Sequence, residues 1–127
     1  MIEIQLNTDL NDSRITSLIT KDIKSRPNIH MLHAPELTQA PYIEYQILGD
    51  AGNQYDEGEL SNASVTLQVD IYTYGSYLTI RDAVKAVLLG KGYIYPNTGG
   101  FEALYEQETK LFHCLLRFIK ELDINAN

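Results

Sequence analysis

The sequence predicts an α+β fold, a small antiparallel sheet with helices packed on one face. Three observations carry that prediction. Val65, Leu67, Val69 and Ile71 alternate with Thr66, Gln68, Asp70 and Tyr72, the period of a strand buried on one side. PYIEYQILG alternates in the same way, with Tyr42, Glu44, Gln46 and Leu48 opposing Ile43, Tyr45 and Ile47. Two other segments space their apolar residues as helices do, and two strands joined by one loop are most simply antiparallel neighbours.

The first helix is read in NDSRITSLITKDIKSRP. Asn11, Asp12 or Ser13 can cap it, because a short side-chain oxygen accepts a free first-turn amide hydrogen. Ile15, Leu18, Ile19 and Ile23 form its apolar stripe, and Pro27 disfavours helical geometry at the residue before it. NIHMLHAPELTQAP, punctuated by Pro35 and Pro41, reads as a connector before the PYIEYQILG strand. The loop at about 49–62 holds Gly49, Gly52 and Gly58 with Asp50, Asp56, Glu57 and Glu59, and is expected to be mobile and solvated.

After the Val65 strand, Gly75 breaks the chain and Ser76 or Thr79 can cap a second helix. Leu78, Ala83, Val84, Val87 and Leu88 form its face, and Gly90 and Gly92 end it. Turn signals follow at Pro96-Asn97 and Gly99-Gly100. The last segment, EALYEQETKLFHCLLRFIKEL, fits both periods. Leu111, Leu115, Phe118 and Leu122 suit a helix; Phe112, Cys114, Leu116 and Phe118 suit a strand. Pattern leaves residues 109–121 open between the two.

A chain of 127 residues points to one domain spanning 1–127, enough to remove roughly two-thirds of its unfolded surface from water. Ten basic against seventeen acidic residues give a net charge of −7, which opposes wrapping around a nucleic-acid backbone but not lining a channel through which DNA slides. One cysteine, Cys114, excludes an intrachain disulfide. MIEIQLNTDLND lacks the basic head and apolar run of a leader peptide, and no run approaches a membrane span. The expectation is a soluble protein made in a reducing cytoplasm, without a membrane partner.

Chemistry has little foothold. His30 and His33 are three apart, but no further ligand lies close by in sequence, and a structural zinc site wants four. His113 and Cys114 are adjacent, so their side chains diverge in either a strand or a helix, and a buried, inert Cys114 is expected. The acidic loop fails the calcium-loop template, with Gly52 and Gln54 where ligands are needed. GKGYIYPNTGG lacks the phosphate-loop Lys-Ser/Thr pair. The expected answer is no catalysis, no metal and no cofactor. Nine tyrosines against three phenylalanines and no tryptophan remain. Each combines an apolar ring with a polar tip, which suits contacts between subunits.

PYIEYQILGD, the acidic glycine-rich loop, SVTLQVDIYTYGSYLTIRDAVKAVL and the closing TKLFHCLLRFIKE together resemble the tail-completion, or tail-terminator, proteins of long-tailed bacteriophages and prophages. These small head–tail joining proteins carry a "v.vqVdiyt" strand, a helix near "s...i.dav...L" and a final "hk.lrf" strand. The last is matched here by His113, Leu115, Leu116, Arg117 and Phe118, with Cys114 departing from the usual basic residue. The resemblance runs from about Pro41 to Lys120, with an N-terminal helix in the expected place.

The resemblance implies a final strand, hence about four antiparallel strands with two main helices packed on them. It also implies a homo-oligomeric ring, typically a hexamer, that caps the tail tube and docks to the head at the head–tail junction of the virion. Partners would be further copies of the chain, the tail tube protein and a head-connector protein, with DNA passing through unbound and assembly in the bacterial host cytoplasm. Subunit contacts are expected at the sheet edges and at Asp50, Tyr55, Asp56, Glu57, Glu59, Tyr72 and Tyr74. A head-closure, neck or minor capsid protein is the alternative, and an acidic regulatory binding protein a third reading.

Overall fold

The computed structural model describes residues 2–49, 55–56, 59–60, 63–96 and 100–122. Helix α1 is Ile2–Leu10 and α2 is Ser13–Thr16. Strand β1 (Ile29–Met31) precedes β2 (Tyr42–Gly49), the two-residue strands β3 (Tyr55–Asp56) and β4 (Glu59–Leu60), and β5 (Ala63–Thr73). Helix α3 (Leu78–Gly90) leads to β6 (Phe101–Glu106) and β7 (Leu111–Leu122). One five-stranded sheet has the order β1-β2-β5-β7-β6, and β3 pairs β4 separately.

The class is as expected, but two details of the sheet differ. It has five strands, and β1 runs parallel to β2 with Ile29 opposite Ile43, so the sheet is mixed. β1 is three residues long and lies in the segment read as a connector. A parallel neighbour needs no tight turn, so no turn signal betrays it. The remaining pairs are antiparallel, β5 forming the spine between β2 and β7.

The N-terminal helix is displaced from its expected place. Asp12 does cap α2: its Oδ1 accepts the Arg14 amide at 2.9 Å, and the Arg14 guanidinium lowers its carboxyl to about 2. The helix then ends at Thr16, and beyond it tertiary pairing takes over the backbone. Thr20 donates its amide to the Pro41 carbonyl, and Asn28 donates to the Thr20 carbonyl, each at 2.9 Å. Asp22 Oδ1 then closes a turn by accepting the Lys24 and Arg26 amides, with Ser25 at φ 63. Ile23, expected in the apolar stripe, is fully exposed there. The longer helix is α1, where Ile2, Leu6 and Leu10 recur every fourth residue and pack into the core.

Helix α3 stands where expected. Ser76 Oγ accepts the Leu78 amide, and Gly92, at φ 92, lets the Tyr93 amide reach back to the Leu88 carbonyl. Ile80, Val84, Val87 and Leu88 are its buried face, whereas Leu78 is exposed. Residues 109–121, left open by pattern, form the turn into β7 and nearly all of that strand. Its even-numbered residues Cys114, Leu116 and Phe118 face Ile71, Val69 and Leu67 in register. These side chains, with Ile29, Ile43, Tyr45 and Val65, form the sheet's share of the core; the three helices supply most of the rest, and Ile19 and Tyr93 come from the connecting segments.

Candidate functional site: the open face and edges of the sheet

One face of the sheet is sealed by helices; the other follows from the same strands one residue out of phase. In β5 the out-of-phase residues are Thr66, Gln68, Asp70 and Tyr72, and in β7 they are His113, Leu115, Arg117 and Ile119. β2 adds Tyr42, Glu44 and Gln46, and β6 adds Glu102, Leu104 and Glu106. The register places Tyr42 beside Tyr72 and Tyr72 beside His113, and their rings stack at 4.8 and 4.2 Å between centroids.

Beneath that stack runs a line of hydrogen bonds. Arg117 Nε donates to Gln68 Oε1 at 3.1 Å, and Gln68 Nε2 donates to Asp70 Oδ1 at 2.9 Å. Asp70 Oδ1 also pairs with His113 Nε2 at 2.9 Å. The bond to Asp70 raises the His113 pKa against the opposing effect of burial, and the Glu106 and Glu44 carboxylates add to the rise. Burial, then Glu44 and Asp70, push the Tyr72 phenol upward. Glu44 is itself held, its Oε2 accepting the Ala34 amide at 2.8 Å. The result is a hydrogen-bonded polar face that carries more acidic than basic groups.

This arrangement orders side chains and does not build a nucleophile. His113 is committed to Asp70, and Cys114 lies on the opposite face, fully buried, with burial pushing its thiol up to about 12. His30 is bonded to Asn28 at 3.0 Å while His33 is exposed, and no three potential metal-ligating side chains converge among the described residues.

Of the seven expected contact residues, Asp50 and Glu57 lie outside the described residues, as does most of the acidic loop. Tyr55, Asp56 and Glu59 fall in the β3–β4 hairpin, Tyr55 opposite Leu60 and Asp56 opposite Glu59. Tyr72 sits mid-sheet inside the stack, and Tyr74 stands exposed just past the end of β5. The structure does not bring these two beside each other on one strand face. Sequence reasoning missed Asp70, His113, Gln68 and Arg117 as a set. The alternation of β5 shows which face Gln68 and Asp70 take, but their β7 partners are 43 and 49 residues away.

The sheet also ends in two different edges. β1 is flanked by local bonds, Ile29 donating to the Pro27 carbonyl and His33 to the Met31 carbonyl. A groove beside it is lined by Ile29 and His30 of β1, Asn7 and Thr8 of α1, and the exposed Ile23 and Leu37. β6, in contrast, is twice as long as β1, without a register shift, and exposes Phe101, Leu104 and Tyr105.

The sequence matches the family described as tail completion protein gp17 over residues 10–119. The chain belongs to that family. Among solved structures, a chain of the virion of a native gene transfer agent (GTA) particle superposes with a TM-score of 0.62 at 14% identity, covering 93% of this chain and 91% of that one, a likeness of fold. No curated protein matches the sequence significantly. Membership supports a structural role in the phage tail, in a family whose part in virion assembly implies interaction with other tail and head proteins. Among the described residues no helix is long and apolar enough to cross a membrane.

Proposed function

We propose that this tail completion protein assembles into a hexameric ring that caps the tail tube, stops its growth and joins it to the head. The family match over residues 10–119 carries this reading, and the architecture suits it. The helices pack on one sheet face and the sheet ends in two unlike edge strands, β1 and β6, while ring closure needs a head-to-tail contact between unlike surfaces. Acting as one domain with neither catalysis nor cofactor, each copy contributes acidic surface to a passage that DNA traverses without adhering, consistent with the net charge of −7. The chain is then a resident of the head–tail junction, assembled in the host cytoplasm, touching tail tube protein on one side and head-connector protein on the other.

The contacts named from sequence, Asp50, Tyr55, Asp56, Glu57, Glu59, Tyr72 and Tyr74, are proposed to help seat neighbours or tube. Adding the purified chain to polymerising tail tubes should yield tubes of fixed length with a cap at one end. Tubes that keep growing uncapped would refute the ring. A variant lacking residues 52–58 should fail to join tails to heads; one that still joins them removes the loop from the contact.

A further inference from the structure

We infer that the ring is stitched edge to edge, the β6 strand of one copy lying in the groove beside β1 of the next. This deepens the ring reading and rests on it.

An edge strand turns every second N–H and C=O outward, and folded proteins usually blunt such edges with proline, lysine, bulges or shortness. β6 has none of these: FEALYE contains neither proline nor lysine and pairs β7 without a bulge. Self-pairing of two β6 edges is opposed by its own charges. An antiparallel two-fold pair centred on Leu104 sets Glu102 against Glu106 twice over, and like charges directly opposite are destabilising.

The other edge offers what β6 lacks. About the groove stand Lys21, Lys24 and Arg26 against Asp22 and Glu36, and because Arg26 is already paired to Asp22 at 2.9 Å the two lysines outnumber the one remaining acid; residues 101–110 hold Glu102, Glu106 and Glu108 against one base, Lys110. Exposed apolar groups match as well: Phe101 and Tyr105 on β6, Met31 on β1, and Ile23 and Leu37 in the groove lining. Strand polarity agrees. β1 and β2 run one way, β5 the other, β7 back and β6 again the other. Copies repeated in one orientation along the sheet therefore present β6 antiparallel to the next β1, the more stable pairing. Because β1 is short and flanked by its own turns, each junction gains few backbone bonds. Copies meeting singly bind weakly, and a tube end that gathers several raises their effective concentration.

The face of each side chain gives the test. Phe101 and Tyr105 share the helix-side face with Met31, while Leu104 faces the open side. Chains carrying Met31→Cys with Tyr105→Cys, and others with Met31→Cys and Phe101→Cys, would be assembled on tail tubes and oxidised. The expected product from at least one pair is a covalent ladder ending at the hexamer, since strand neighbours come within disulfide reach. Met31→Cys with Leu104→Cys should give none. In parallel, Glu102→Lys with Glu106→Lys should weaken capping roughly tenfold, and adding Lys21→Glu with Lys24→Glu should restore it. Capped tubes that yield no ladder and show no charge rescue would overturn the edge pairing and leave the ring standing. Uncapped tubes from the unaltered chain would bring down both.

Discussion

The two faces of β5 are made from alternate residues of one eleven-residue strand, yet they do different work. Leu67, Val69 and Ile71 are wholly buried against helices and meet Phe118, Leu116 and Cys114 in register. Gln68, Asp70 and Tyr72, interleaved with them, meet Arg117, Leu115 and His113 on a face no helix covers. Hydrophobic burial is non-directional and scales with area, so the sealed face supplies stability. Hydrogen bonds are directional and each contributes little net stability while it is made, so the polar face supplies shape and charge more than stability, and the loss appears when one buried partner is removed. Substitutions on the polar face are therefore expected to change its shape and charge while the sealed face holds the fold.

Substitutions on each face test that division. The largest effect is expected from Phe118→Ala on the sealed face, which should cost about 3–5 kcal/mol by urea denaturation. A loss under about 1 kcal/mol would mean that the helices do not close over it.

Next comes Asp70→Asn on the open face. The folded-state pKa of His113 is raised, so its pairing with Asp70 stabilises fully below the unfolded value of about 6.5 and is lost as pH climbs through the folded value. Since His113 keeps part of its surface in solvent, about 1 kcal/mol is the expected scale. The unaltered chain should lose that advantage over Asp70→Asn as pH rises from about 6.5 through the raised folded-state value, and the His113 ring protons should titrate above the usual histidine value by NMR. Identical pH profiles for the two proteins would detach the histidine from Asp70. Smallest is Tyr72→Phe, which keeps the stack and should leave the urea midpoint within about 0.5 kcal/mol. A larger loss would show that the hydroxyl has a structural partner.

What the sequence disclosed follows from the same physics. β5 and β2 were legible because one face is apolar and the other polar, and a one-residue slip would reverse them. α3 was legible because its buried residues recur at helical spacing before a glycine stop. β7 was not, since Leu111 and Leu115 on the open face are nearly as buried as Cys114 and Leu116 on the sealed one, which erases the alternation. β1 was hidden because it is short and held by tertiary pairing, and that same pairing cut short the helix read after Asp12. Of the open-face network, Gln68 and Asp70 stood in plain alternation, but nothing local linked them to Arg117 and His113. That link is a matter of register alone.

Cys114 turns the centre of the sheet into a clock. It is the sole thiol in the sequence, fully buried under β7, and its burial keeps it protonated at neutral pH. A thiol reagent reaches it only when the sealed layer parts, so the labelling rate counts openings of the strands that hold the molecule together. Timed on the free chain and again on the chain incorporated in a tail, that rate would measure how far assembly slows the breathing of each subunit.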